Sequence, residues 1–428
     1  MKYQGILWGA CAGLLSLQGC VTVAPDVENN FSFKANALFR GEDAYSMRAI
    51  QAPDLAAGGA ELANIARPMA HIAEVGGNTV AFDLPGLSPD GQYIDPAAVE
   101  AVKAIAKRAK DQHMAVLVRV LGKVGANAEA REHAAKTAAA ALADEQRVVY
   151  WFDGPAAAES AAVFKKTAPQ LIVAAPAKGD LTTTTDAASA NAASLVLGAI
   201  PSVNLEAANF VLNDAPAEYP ALDAALTTPE EKAGWTPDNS ILDPDERAQG
   251  FIALFNGKTL DGWWVFGDNK QGFRVSDDGA IERAGENGTA LMTVDRYENF
   301  ILRVQYRIEE GGNSGVFVRA PRQSRQSRIG MEVQIHGDPG VPPSDDGTGA
   351  IYVVLAPTSN PSRAAGEWND LEIMLEGRHM KVTLNDVVVQ DINLDDTEEL
   401  KYRLQKGFIG LQDHDSFVQF RNVRLKPL

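Results

Sequence analysis

From residue 31 to residue 225, apolar runs of strand length alternate with alanine-rich stretches of helical period. The runs Asn78–Leu84, Met114–Leu121, Arg147–Phe152, Leu171–Ala175, Leu195–Ile200 and Phe210–Leu212 are apolar with little alternation, as strands covered on both faces are. Asp95-Pro96 reads as an N-cap and first helical residue, and Val99, Val102, Ile105 and Ala109 share one apolar helical face. Ala126–Glu145 is alanine-rich enough to predict a helix outright. This alternation predicts an α/β domain. The strand runs suggest a reduced (β/α) barrel, since a full eight-unit barrel typically takes ~250 residues, with an open doubly wound sheet as the alternative.

The pattern then changes twice. Residues 226–249 are rich in Pro, Asp, Glu and Asn without a sustained apolar period, and read as a linker. From residue 250 to 428, strand-like runs are separated by Gly, Asn and Asp turns with no intervening helices. Among them are Ile301–Ile308, Gly315–Arg319, Met331–His336, Ala350–Leu355, Asp370–Leu375, Met380–Leu384, Gly407–Gln412 and Phe417–Leu425. That pattern predicts an antiparallel β-sandwich, so the chain is expected to be multidomain: an α/β barrel-like domain followed by an all-β sandwich.

A formal net charge of −17 argues against a nucleic-acid partner, because phosphate binding needs clustered Lys and Arg. Both cysteines lie within the first twenty residues, leaving no disulfide or cysteine nucleophile in the body of the chain. Met1-Lys2, the apolar stretch Ile6–Leu17 and Gly19-Cys20 resemble a bacterial lipoprotein signal, with residues 1–19 removed, Cys20 lipidated and 20–30 as a tether. Gln18 departs from the small residue usual there. The expected location is the bacterial cell envelope, at the outer membrane or in the periplasm, held to the membrane by the lipid.

Strand ends of a parallel sheet aim at its ligand crevice, which singles out Asp83, Arg119 and Asp153 in the first domain. Gly77–Asp83 followed by Ala115–Arg119 is weakly similar to the early strands of barrel glycosidases. A glycosidase, however, needs a matched carboxyl pair, and no Glu falls at a strand end. The domain therefore reads as a degenerate barrel that binds glycan or supports the second domain. His71, His113 and His133 fall in helices or at helix ends without metal-like spacing, and read as surface or helix-terminal residues.

In the second domain, Met331–His336 places Glu332, Gln334 and His336 on one strand face and Val333 and Ile335 on the other. A carboxylate and an imidazole on a polar face suit proton transfer. Arg319, expected on the same side as Gly315 and Phe317, is a candidate clamp for a carbonyl or anionic oxygen, with Asn313 beside it; a salt bridge to Glu332 is the plainer reading. Gln412, Asp413 and His414 gather an amide, a carboxylate and an imidazole where a strand runs into a turn. Trp263, Trp264 and Trp368 offer flat faces on which sugars stack, with Trp264 the candidate for substrate contact and core packing the alternative role. Glu332, His336, Asp413 and His414 are also compatible with a divalent ion.

Gly250–Trp263, Gly312–Arg319, Glu332-Val333-Gln334, Gly366-Glu367-Trp368-Asn369, Gly410–His414 and Phe420–Val423 occur in the order seen in the 3-keto-disaccharide hydrolase domain family, which this region resembles. His336 stands where that pattern leads one to expect Asp. The resemblance implies a concanavalin-type jelly-roll sandwich and a glycoside substrate already oxidised to a ketone at C3 by a separate sugar 3-dehydrogenase. The ketone acidifies the C2 hydrogen, so elimination across C1 and C2 precedes hydration. Glu332 and His414 are then the acid and base in either order, Arg319 and Asn313 hold the enolate oxygen, and no redox cofactor is required. Two alternatives are a non-catalytic, lectin-like surface lipoprotein and catalysis in the barrel with the sandwich as its targeting module.

Overall fold

A computed structural model describes residues 30–34, 37–40, 43–52, 55–176, 179–184, 194–197, 209–212, 227–266, 272–284 and 290–428. The expected signal segment (1–19), Cys20 and residues 198–200 of the expected Leu195–Ile200 run lie outside the described residues. Among the described residues, no helix is long and apolar enough to cross a membrane.

Three short antiparallel strands, β1 (Phe31–Lys34), β2 (Ala37–Arg40) and β3 (Asp43–Ala44), precede a closed barrel of parallel strands. The barrel strands are β4 (Arg48–Gln51), β5 (Thr79–Asp83), β6 (Ala115–Arg119), β7 (Val148–Trp151), β8 (Ile172–Ala175), β9 (Leu181–Thr184), β10 (Ser194–Leu197) and β11 (Asn209–Leu212). β11 pairs with β4 to close the ring. The count exceeds the six apolar runs because β4, Arg-Ala-Ile-Gln, and β9, Leu-Thr-Thr-Thr, are too polar to stand out. Helices α1 (Leu62–Glu74), α2 (Pro96–Asp111), α3 (Ala128–Ala141) and α4 (Ala157–Thr167) cover the outside. Val80, Phe82, Val116 and Val118 face those helices, whereas Ala81, Ala115, Leu117, Val149 and Trp151 fill the interior with Phe31 and Leu38 of the small sheet. Asp95 caps α2 by accepting from the Ala97 N–H, as its sequence signal predicts.

The second domain is a two-sheet sandwich. Its strands are β12 (Ile252–Ala253), β13 (Trp263–Phe266), β14 (Phe273–Val275), β15 (Ile281–Arg283), β16 (Ala290–Tyr297), β17 (Phe300–Ile308) and β18 (Asn313–Ala320). There follow β19 (Met331–His336), β20 (Asn369–Glu376), β21 (His379–Leu384), β22 (Val387–Asn393), β23 (Gly407–Gln412) and β24 (Val418–Pro427). One sheet runs β14-β15-β24-β17-β20-β21-β22 with β12 beside β24, and the other runs β13-β16-β23-β18-β19. Leu302, Val304, Tyr306 and Ile373 of the first sheet meet Val316, Val318, Val333, Ile335, Ile409 and Leu411 of the second in one buried core. Ala350–Leu355, expected as a strand, is instead a turn carrying isolated bridges. Val353 there has a φ of 52°, a left-handed conformation that breaks regular strand pairing.

The described part of the expected linker packs on the sandwich instead of hanging between domains. Thr228 and Glu231 form a capping box, and Glu231 makes a two-pronged ion pair of 2.6 and 2.7 Å with buried Arg322. Glu246 pairs with Arg303 and Arg424, and Trp235 joins the sandwich core.

The two domains share a packed boundary. Ile329 and Leu404 of the sandwich are buried with the barrel's helix layer, Arg108 pairs with Glu399, and Arg48 donates to Gln323. The Arg325 N–H donates to the Gln112 carbonyl. Arg48 begins a barrel strand and Gln112 lies three residues before the start of another, so the sandwich docks on the end where the strands start.

Candidate active site

The site lies on the face of the five-stranded sheet turned away from the sandwich core. Strand alternation puts Glu332 and Gln334 of β19 on it, beside Gly315 and Phe317 of β18. Glu332 faces Phe317 across the pair, Gln334 faces Gly315, and Phe317 in turn faces Gly410 of β23. Glu332, Gln334 and Phe317, with Phe266, Asn313, Tyr352, Gln412, Asp413, His414, the Arg325–Ser327 turn and His113, line a cavity of about 380 Å³. That volume lies within the ~300–1,000 Å³ typical of small-molecule sites.

Glu332 is 1 % exposed, and burial pushes its carboxyl up to about 8 despite the pull of Arg325 and Arg328. Its Oε2 has no hydrogen-bond partner among the described residues, and neither do Oε1 of Gln334, Oε1 of Gln412 and Nε2 of Gln326. Buried polar atoms are ordinarily paired, so four orphans around one cavity mark a place where a polar ligand completes the bonding. Gln334 Nε2 donates to Asn313 Oδ1 and to the Asp346 carbonyl, which fixes both amides. Asp413 is held by Arg283 at 3.1 Å and accepts from the Asp415 N–H; burial nevertheless raises its carboxyl above the ordinary value. His414, next along, is exposed at the rim.

Three expected site residues fall elsewhere. Arg319 was expected beside Gly315 and Phe317, but the β18–β23 register shifts between Phe317 and Ala320, and Arg319 takes a φ of 49°. The bulge sends its fully buried side chain to the Glu298 carbonyl (2.9 Å) and Asn299, and it forms no salt bridge to Glu332. Burial, with Arg378 nearby, lowers its guanidinium to about 10. His336 shares the face of Glu332 by alternation but lies outside the cavity lining, 3.5 Å from Asp338. Trp264 is buried, donates to the Thr293 carbonyl and packs edge-on to Phe408, so it underlies the site without lining it. Among the described residues no group of three or more His, Cys, Asp and Glu converges as a metal site, so Glu332, His336, Asp413 and His414 do not form the set considered.

Arg325, Tyr352 and His113 were not anticipated. The Arg325 guanidinium, partly exposed in the cavity wall, makes no hydrogen bond or ion pair with a described residue. Tyr352 comes from the turn that replaces the expected strand, its N–H bonded to the Glu332 carbonyl. No local pattern announces either residue; the stretch Pro321–Gly330, with three arginines between strands, was the available hint.

In the barrel, Asp83 and Asp153 stand on either side of Arg119, which makes two bonds to Asp83 (2.6 and 2.9 Å) and approaches Asp153 at 3.6 Å. Lys123 lies 3.8 Å from Asp83, and Arg119 stacks over Trp151. The carboxylates are tied up by cations instead of facing each other as a catalytic pair.

Residues 250–426 match the family model of the 3-keto-alpha-glucoside-1,2-lyase-like domain, which bears out the resemblance read from the motifs of the second domain. The chain is 26% identical over 230 residues to a 3-keto-disaccharide hydrolase of Bacteroides thetaiotaomicron, an alignment covering 42% of this chain and 79% of the relative. A crystal structure from Parabacteroides distasonis ATCC 8503, provisionally named a glycosyl hydrolase, is 28% identical and aligns over 44% of this chain and 98% of its own, with a TM-score of 0.40. A carbohydrate-binding module from Bacillus subtilis aligns at 15% identity over 38% of this chain and 94% of its own, with a TM-score of 0.28.

Proposed function

We propose that the chain hydrolyses glycosidic bonds of glycosides already oxidised to a ketone at C3, by elimination across C1 and C2 followed by hydration, in the cavity over Glu332. The observation that carries this reading is a buried, unpartnered carboxyl group among orphaned amide atoms, inside the stretch that matches the lyase-like family. With its carboxyl raised to about 8, Glu332 is mainly protonated at neutral pH and suited to act as a general acid. His414 at the rim is the base.

In the first step His414 takes the C2 proton, and the electron pair forms an enolate whose negative charge rests on the C3 oxygen. Arg325 and the Asn313 amide stabilise that oxygen, the role Arg319 cannot reach. The enolate collapses to a C1=C2 double bond as the C1–O bond breaks, and Glu332 protonates the departing oxygen. Water then adds at C1, giving its proton to Glu332, while His414 returns its proton to C2. The products are the free 3-keto sugar and the aglycone alcohol, with both groups restored. A sugar 3-dehydrogenase acting earlier supplies the ketone.

The lipoprotein signal supports a further part of this reading: attachment to the cell envelope through a lipid on Cys20. Radiolabelled palmitate incorporated by wild type and lost in Cys20→Ala tests it.

The test of activity is release of aglycone from a 3-keto glucoside and from its unoxidised parent, by the full chain and by Glu332→Gln. Release from the keto substrate alone, lost in the variant, supports the proposal. Binding without release points to a lectin-like role and overturns it.

A further inference from the structure

Among the described residues, the cavity wall contains one from outside the sandwich. His113 follows α2, whose end is closed in the Schellman manner: the Met114 N–H donates to the Ala109 carbonyl and the His113 N–H to the Lys110 carbonyl. The residue between, at φ 53°, is in the left-handed region where glycine is usual. Here the position carries an imidazole, whose nitrogens make no hydrogen bond to a described residue and which lines the same cavity as Glu332 and Arg325.

The neighbouring contacts hold it there. The Gln112 carbonyl accepts from the Arg325 N–H, so the turn bearing His113 is joined to the turn bearing the cavity's arginine. Ile329 and Leu404 are buried against the barrel's helix layer, and Arg108 on α2 pairs with Glu399. The barrel thus forms a fixed wall of the site. Crowding in this cleft, then Arg325, lowers the imidazole to about 4, although the ring's surface is open to the cavity. A neutral imidazole both donates and accepts hydrogen bonds, which suits sugar hydroxyls and offers no charge to repel Arg325.

We propose that His113 of the barrel is a substrate-binding residue of the sandwich's active site, hydrogen-bonding a hydroxyl of the bound glycoside, so that the site is shared between the two domains. This rests on the function proposed above. It assigns the first domain a part in substrate recognition that needs no active site of its own.

The test is steady-state kinetics of the full chain on a 3-keto glucoside, comparing wild type with His113→Gly and His113→Asn, alongside thermal melting of each. Glycine relieves the left-handed backbone, so His113→Gly should melt at or above the wild-type temperature. Its KM should nevertheless rise about tenfold, the worth of a hydrogen bond to a neutral group, with a smaller change in kcat. Asparagine tolerates the same backbone and should restore part of the affinity. Wild-type KM in a stably folded His113→Gly would overturn this proposal while leaving the function intact. Failure of the wild-type chain to cleave the keto substrate would overturn the function itself, and this inference with it.

Discussion

The Glu332 carboxylate lies over Gly315, so that a Cβ at position 315 would stand 2.2 Å from Glu332 Oε1. The two residues sit on neighbouring strands, with Gly315 paired to Gln334, the next residue on the face of Glu332. The glycine is what lets a buried carboxyl group fold flat against the sheet and face the cavity.

Gly315→Ala should therefore displace the carboxyl group while sparing the fold, because the clashing atoms are the end of a side chain and not backbone. The expected result is a kcat reduced by about a hundredfold, comparable with losing a positioned proton donor, and a melting temperature close to wild type. Kinetics on the keto glucoside together with calorimetric melting check it; unchanged kcat would show that the position of the carboxyl group is not critical.

Arg319 and Arg325 should separate stability from activity. Arg319 is fully buried and serves the Glu298 carbonyl, so Arg319→Met should cost about 1–3 kcal/mol of stability and leave kcat per folded molecule near wild type. Arg325 stands in the cavity wall with no ion-pair partner among the described residues, so Arg325→Met should leave the melting temperature within a few degrees and lower kcat by about a hundredfold. Denaturant titrations and turnover on the same preparations decide between them, and the reverse pattern would restore the assignment made from sequence.

That contrast also shows what was legible in the sequence. The faces of Met331–His336 follow from period two alone, and the strand is regular, so Glu332 and Gln334 lie where alternation puts them. Arg319 belongs to a run with the same apparent alternation, but the bulge after Phe317 reverses its direction, and bulges leave no signature in a single sequence. Ala350–Leu355 is apolar enough to be a strand; its apolar character instead covers the free edge of β19, where the Gln334 and Tyr352 N–H groups find partners. His113 was recognisable as a helix-terminal residue. Its place in the site depends on docking of a domain whose sequence is more than two hundred residues away from Glu332, which no local pattern encodes.

The raised carboxyl of Glu332 predicts two pH dependences. If it is the acid, kcat/KM holds at neutral pH and falls as pH rises through about 8; a rise through the same range would make it the base. Stability has its own sign. The folded state keeps the proton up to about 8 while the unfolded carboxyl releases it near its ordinary value of 4.5, so rising pH favours unfolding across that window by up to about 1.4 kcal/mol per unit. Glu332→Gln lacks this group, and its stability relative to wild type should increase from pH 5 to pH 8. Urea unfolding at several pH values, with a flat difference between the two proteins, would show that the carboxyl is not shifted.

The segment before residue 250 should prove part of the sandwich's stability. Glu231 and Arg322 are both buried in their ion pair, and the Arg322 guanidinium lies over the rings of Phe408 and Trp264 at 5.1 and 5.9 Å. Removing the carboxylate alone takes from a buried guanidinium its two-pronged partner, a loss of about 3–5 kcal/mol, whereas removing both charges spares most of that. Glu231→Ala should therefore melt well below wild type and Glu231→Ala/Arg322→Met should recover much of the difference, read by calorimetry on the full chain. Because Phe408 and Trp264 underlie the cavity through Phe317 in one buried cluster, the single variant should also weaken binding of the keto glucoside. An additive double variant, or a single variant as stable as wild type, would show that the segment is a passive tether after all.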